Sequence, residues 1–130
     1  MRIMSIRRGF TADHSSTSYE FLAVDKPLGK AGKAEVASLS RRANPTSRRV
    51  SFVYHVDGYD IPGGWDKLME KYYDVMYCVD YDWWTLGIAF NTLQEQLENL
   101  KKYQFSDEDG VGVTIESRGN RAVIAIILQS

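Results

Sequence analysis

The chain has few of the residues that build covalent or metal-held structure. Its 130 residues include one cysteine, Cys78, and two histidines, His14 and His55. A single cysteine cannot form an internal disulfide, and it fits a reducing compartment. Three such side chains also fall short of the four ligands of a structural zinc site. We therefore predict no cofactor for this chain.

Long apolar runs and targeting patterns are also missing. No run approaches the length that crosses a bilayer, and residues 1–10 lack the apolar stretch and the cleavage site of a secretory leader. We expect a cytoplasmic protein that does not enter a membrane. Neither a Walker pattern nor a Gly-rich dinucleotide fingerprint occurs. The Pro62-Gly63-Gly64 stretch is interpreted as a turn, because Asp66 would repel a phosphate.

The pattern of strands and helices predicts an α+β fold in a single globular domain, residues 1–130. The chain is either a complete domain, the N-terminal domain of a longer protein or a subunit that needs a partner. We expect a mostly antiparallel sheet of about five to seven strands, with two or three helices packed mainly on one face. Strands are predicted for residues 17–24, 49–56, 72–84, 85–90, 111–117 and 121–128, with residues 2–8 pairing with the first. Helices are predicted for residues 28–43, 65–72 and 92–103, the last starting with a capping box at Thr92 and Glu95.

The stretch from Tyr72 to Trp84 holds six aromatic residues and three carboxylates, without a basic residue. Taken as one strand, it divides by parity into two faces. Tyr73, Val75, Tyr77, Val79, Tyr81 and Trp83 form the expected core face. The other face carries Asp80, Asp82 and Trp84, an acidic site edged by aromatic rings that would suit a cationic ligand. The last strand, 122–128, is apolar on both parities, which is typical of burial on both faces.

Charge is divided between the two parts of the chain. Residues 1–50 carry +6 and residues 51–130 carry −7, although the net charge is only −1. The basic part contains the pairs Arg41-Arg42 and Arg48-Arg49, which flank one loop. Arginine matches phosphate geometry, so these four are candidate contacts for nucleic acid or an acidic protein partner. The alternatives are a solvated surface with local ion pairs, or two sides that attract each other in a homo-oligomer.

Candidate catalytic residues are sparse. His14 has a pKa suited to general base catalysis, but its neighbours in sequence cannot form a triad with it. His55 and Asp57 project to the same side of a strand, with Asp60 nearby, and could start a divalent-metal site. The alternative is that both histidines lie in polar loops or strand ends without a chemical role.

Two segments resemble stretches of an uncharacterised prokaryotic protein family, in which some members are associated with a C-terminal SWIM-type zinc finger. The segments are His14-Ser-Ser-Thr-Ser-Tyr-Glu20 and Tyr73-Asp-Val-Met-Tyr-Cys-Val-Asp-Tyr-Asp-Trp-Trp-Thr85. The ligands of that finger are absent from this chain. The resemblance implies an accessory domain beside a nucleic-acid-binding module, and it supplies no catalytic residues.

We therefore predict a non-enzymatic binding or accessory domain that contacts nucleic acid or an acidic partner through the arginines. One alternative is a small enzyme or ligand-binding protein with an acidic, aromatic-lined pocket. The other is a structural subunit of an oligomer, which would show a conspicuous apolar patch.

Overall fold

The computed structural model describes residues 17–40, 43–54 and 61–129. These residues form seven strands, three α-helices and one 3-10 turn. The strands are β1 (Thr17–Leu22), β2 (Arg49–Tyr54), β3 (Val75–Asp80), β4 (Trp83–Asn91), β5 (Phe105–Ser106), β6 (Gly112–Arg118) and β7 (Arg121–Gln129). The helices are α1 (Lys30–Ala37), α2 (Trp65–Lys71) and α3 (Gln94–Leu100), and the 3-10 turn is Lys101–Tyr103. No described helix is long and apolar enough to cross a membrane.

The strands form one antiparallel sheet in the order β2-β1-β3-β4-β7-β6-β5. Helix α1 links the neighbours β1 and β2, and α2 follows β2 and leads to β3 on the other side of β1. The fold prediction is confirmed: the described residues are α+β, with seven antiparallel strands and three helices. Both edges of β1 are occupied, by β2 and β3. The segment predicted to pair with it, residues 2–8, lies outside the described residues.

One face of the sheet, the helix-covered face, lies under α1 and α2. On this face, side chains from five adjacent strands pack against Val36 of α1 and Leu68 and Met69 of α2. The strand residues in this cluster include Tyr19, Phe21, Phe52, Met76, Cys78 and Ala89. The predicted alternation of β1 and β2 is confirmed, since Phe21 and Phe52 are nearly inaccessible while Val53 is 45% exposed.

The helices are shorter than the sequence pattern indicates. Helix α1 covers residues 30–37 of the predicted 28–43, starting after Gly29 and ending before Ser38. Gly32 allows a close approach between α1 and the end of α2, because a Cβ atom there would lie only 3.1 Å from the ring of Tyr72. The hydroxyl of Tyr72 donates a hydrogen bond to Glu35, and Lys71 forms a 3.1 Å ion pair with the same carboxylate. These contacts join α1 to α2.

Helix α3 packs on the opposite face of the sheet. Its Leu97 is buried against Ile115 and Ala122, and Phe90 and Ile124 pack around that cluster. The capping-box prediction is wrong, because α3 starts at Gln94 and its first turn has no side-chain cap. The hydroxyl of Thr92 instead donates hydrogen bonds to the main-chain carbonyl of Leu93 and the side chain of Gln96, each 3.2 Å long.

The aromatic stretch is two strands rather than one. Strand β3 ends at Asp80 and β4 begins at Trp83, with Tyr81 and Asp82 forming a two-residue turn between them. Tyr81 has a φ of 58°, a left-handed conformation that a bulky side chain rarely adopts. Turns of this kind usually carry Gly, Asn or Asp at that position, so a tyrosine there does not indicate a turn.

The predicted core face of the aromatic stretch is only partly right: Tyr73 and Val79 are buried, but the other members of that face are not. On β3 the deeply buried residues of the helix-covered face are Met76 and Cys78, while Val75 and Tyr77 lie on the opposite face and stay partly exposed. Both parities of β3 are apolar, so alternation alone could not decide which side the helices would cover.

Candidate interaction surface

The face of the sheet that carries α3 has a continuous apolar area in its centre. Antiparallel partners project to the same side, so the strand register sets its rows. Tyr77 pairs with Leu86, which pairs with Ile126. In the neighbouring rows, Val75 pairs with Ile88, and Trp84 pairs with Leu128. We call these seven residues the open face: Val75, Tyr77, Trp84, Leu86, Ile88, Ile126 and Leu128.

Within the described residues, the open face lies outside both hydrophobic clusters. Helix α3 covers the neighbouring area around Ile115 and Ala122 and goes no further. All seven side chains of the open face keep part of their surface accessible, and Leu128 is 47% exposed. The three strands β3, β4 and β7 are thus apolar on both sides but covered by helices on only one side along much of their length. Such strands normally occur where both faces are buried.

Acidic residues surround one end of the open face. Residues 72–100 contain no lysine, arginine or histidine, and they include five carboxylates. The turn between β3 and β4 and the turn at 107–111 lie at the same end of the sheet, because β4 starts there and β5 ends there. The ring of Trp83 would lie 3.6 Å from a Cβ atom at Gly110, which confirms that the two turns are close. We call this the acidic end; its carboxylates are Asp80, Asp82, Asp107, Glu108 and Asp109.

The carboxylates at the acidic end are held by neighbouring side chains. Asp80 accepts a 2.7 Å hydrogen bond from the hydroxyl of Thr17, and Asp82 accepts one of 3.4 Å from the amide of Gln129. Asp80 shares the helix-covered face with Trp83, whereas Trp84 projects from the other side. The expectation that Asp80, Asp82 and Trp84 share one face is therefore wrong, because the turn at 81–82 separates them. Among the described residues, no group of three or more Asp, Glu, His or Cys side chains could hold a metal ion.

The described arginines of the predicted basic patch lie at the opposite end of the sheet. Arg48 donates hydrogen bonds of 3.2 Å and 2.8 Å to the main-chain carbonyls of Ala23 and Val24. Arg49 forms a 3.3 Å ion pair with Glu20, and 68% of its side chain remains exposed. Arg48 thus fastens the loop after β1, while Arg49 offers charge to the solvent. Arg41 and Arg42 lie outside the described residues, as do His14, His55, Asp57 and Asp60.

The most buried ion pair, Arg121 with Asp74, is structural. The guanidinium of Arg121 donates to the carboxylate of Asp74 and to the main-chain carbonyls of Met69, Tyr73 and Ala89. The other oxygen of Asp74 accepts hydrogen bonds of 2.6 Å and 3.0 Å from the amides of Val24 and Asp25. Burial by itself raises the pKa of Asp74, but these hydrogen bonds outweigh it, so the pKa lies below its ordinary value of 3.8.

A polar cleft of about 390 Å³ lies beside this ion pair, between the start of α3 and the turn that joins β6 to β7. Its polar lining includes Asn91, Thr92, Gln94, Ser117, Asn120 and Arg121. The two terminal nitrogens of Arg121 already donate to the protein interior. The cleft therefore presents mainly amides and hydroxyls.

Sequence reasoning identified Trp84 of the open face but missed the surface as a whole. The signal was present in the last strand, whose two apolar parities predicted burial on both sides. The matching residues of β3 and β4, such as Tyr77 and Leu86, could be recognised only through the strand register. Burial raises the pKa of Tyr77, and the nearby charge of Glu20 adds to that effect.

Comparisons with protein-family models, with curated proteins and with solved structures gave no match for this chain.

Proposed function

We propose that this domain is a non-enzymatic docking module that binds a partner polypeptide through the open face. The observation that carries the proposal is the unbroken apolar area on β3, β4 and β7, which has no charged side chain and no described helix over it. Strands that are apolar on both sides normally occur where both faces are buried, so a partner segment over the open face would complete the packing.

The open face is large enough to bind but small for an interface between two domains. Three strands at about 4.8 Å spacing and five residues at about 3.3 Å per residue give roughly 14 Å by 17 Å, or about 240 Å². A stable interface between folded proteins buries about 800 Å² on each side. The open face thus suits a single secondary-structure element of a partner.

Site-specific photo-crosslinking tests this proposal in the cells that make the protein. A photoreactive residue replaces Leu86 or Leu128 on the open face, and Val24 or Ala37 at control positions that are also exposed. We expect one discrete adduct from both open-face positions and none from the controls. The adduct should disappear when Leu86→Asp is added to the chain that carries the crosslinker at Leu128. Adducts that do not depend on position, or none at all, would contradict the proposal.

A second candidate function, the predicted contact with nucleic acid or an acidic partner, is favoured by the exposure of Arg49. Replacing Arg41, Arg42, Arg48 and Arg49 together by Ala should weaken polyanion binding in a low-salt shift assay, most strongly at low ionic strength. The control replaces Lys101 and Lys102 by Ala, which removes charge from the other half of the sheet. Equal binding by the wild type and the arginine variant would exclude this function.

A further inference from the structure

The open face lies in a layer that already contains one helix. Helix α3 packs on the same side of the sheet, where Leu97 inserts between Ile115 and Ala122. On the other side of the sheet two helices, α1 and α2, share the cover. A helix with its side chains is about 10 Å wide and rises about 1.5 Å per residue, so about 11 residues span the open face. One further helix beside α3 would fill the available area.

Charge restricts the kind of helix that fits. The open face is uncharged. At one end the ion pair of Arg49 and Glu20 lies beside Tyr77, so charges of both signs are present there. At the other end the open face borders the acidic end, whose carboxylates are the only charged groups in residues 103–111 and in the turn at 81–82. A partner that carries carboxylates would be repelled there, whereas lysine or arginine would be attracted and could lay its aliphatic stem on the apolar surface.

We infer that the open face binds a basic amphipathic helix of about three turns, with apolar residues at i, i+3 or i+4 and i+7 toward the sheet and Lys or Arg along its flanks. This inference rests on the proposed docking function and names the partner of that same surface.

Synthetic peptides provide the probe. Three fluorescently labelled peptides of about 14 residues are compared by anisotropy. The first has a leucine stripe with lysine flanks, the second has the same stripe with glutamate flanks, and the third has the composition of the first in an order without a stripe. We expect the first to bind at least about tenfold more tightly than either of the others.

Matched variants locate the binding site. Leu86→Asp should weaken binding of the lysine peptide at least about tenfold, and Leu128→Asp, at the exposed rim, supplies the same test if the first variant does not fold. Val24→Asp introduces the same charge at an exposed apolar residue near the opposite end of the sheet, and it should leave binding within about twofold. Circular dichroism confirms that each variant is folded.

The charge contribution is tested separately. Neutralising Asp82 and Glu108 together, as Asn and Gln, should weaken binding of the lysine peptide several-fold and flatten its dependence on salt. For the wild type, raising NaCl from about 0.05 M to about 0.5 M should weaken binding, because the screening length becomes shorter than the distance between the flanks and the carboxylates.

The outcomes separate the two proposals. Equal binding of the lysine and glutamate peptides would overturn the inference about charge. Failure of all peptides, together with a position-specific adduct at the open face, would overturn the helix as partner and leave docking intact. A stable dimer in light scattering that Leu86→Asp abolishes would identify a second copy of the chain as the occupant and overturn the inference. Failure of peptides, adducts and dimerisation together would overturn both proposals.

Discussion

Replacing Asp74 by Asn tests its ion pair with Arg121. This pair and its hydrogen bonds connect β7 to the loop after β1, to α2 and to β4. The wild-type carboxylate binds Arg121 through one oxygen and the amides of Val24 and Asp25 through the other. An asparagine has one oxygen, so its NH2 group must face either the guanidinium or the two amides. The substitution therefore leaves the charge of Arg121 without its counterion. It also places the NH2 group of the new side chain against other hydrogen-bond donors.

The cost follows from burial. Removing one partner of a buried ion pair costs about 3–5 kcal/mol. The side chains of Arg121 and Asp74 keep 15% and 14% of their surface exposed, so we expect the lower end, about 3 kcal/mol. For a domain of this size that loss corresponds to a fall in Tm of about 10 °C. Urea denaturation followed by tryptophan fluorescence measures the change, with an unaltered slope of free energy against urea.

The control and the pH dependence sharpen the test. Asp109→Asn neutralises an exposed carboxylate and should change stability by less than about 0.5 kcal/mol. Because folding lowers the pKa of Asp74 below 3.8, its contribution is complete above that pH and is lost as the pH falls below it. Asp74→Asn should remove this part of the acid sensitivity. An Asp74→Asn protein as stable as the Asp109→Asn control would refute the assigned role of the ion pair.

Three further substitutions test other parts of the structure by the same denaturation assay. Tyr73→Phe should raise the free energy of unfolding by about 1 kcal/mol, because the buried hydroxyl of Tyr73 has no hydrogen-bond partner among the described residues. Burial raises the pKa of Tyr73 to about 12, so the wild type should also lose stability as the pH rises from the ordinary value of 10.0 toward 12. Tyr73→Phe should lose less over this range, and identical alkaline behaviour would contradict the assignment. Gly112→Ala should cost about 3 kcal/mol, since the new Cβ would clash with the main-chain carbonyl oxygen of Phe105, and a loss below about 1 kcal/mol would show that β5 moves away easily. Tyr81→Gly should raise stability by up to about 1 kcal/mol by relieving the positive φ, and lower stability would mean that contacts of the ring outweigh the strain.

Much of the fold could be predicted because its signals are local. The alternation of buried and exposed residues in β1 and β2 and the apolar stripe of α2 each depend on residues a few positions apart, so a local pattern is enough to predict these elements. The single strand over the aromatic stretch was wrong because Tyr81 and Asp82 carry no usual turn signal. The capping box was wrong because the hydroxyl of Thr92 bonds to the side chain of Gln96 instead of accepting a hydrogen bond from a main-chain amide of α3.

The candidate surface could be predicted only in part. The apolar residues at both odd and even positions of β7 indicated burial on both sides, and β7 is one of the three strands that form the open face. The pairing of Ile126 with Leu86 and of Leu86 with Tyr77 joins residues far apart in sequence, so no local pattern reveals the row that they form. The expectation that Asp80, Asp82 and Trp84 share one face was wrong for a related reason, since one turn places Trp84 on the side of the sheet away from Asp80.

The sequence by itself determined the secondary-structure periods, the antiparallel α+β class and the division of charge along the chain. The tertiary structure alone decided which side of the sheet α1 and α2 cover, which carboxylates meet at the acidic end and which apolar residues remain on the open face. The physical reason is that a strand with apolar residues at both odd and even positions can turn either set of side chains toward the helices. Only the long-range pairing of strands, and the number of helices available to cover each face, choose between the two.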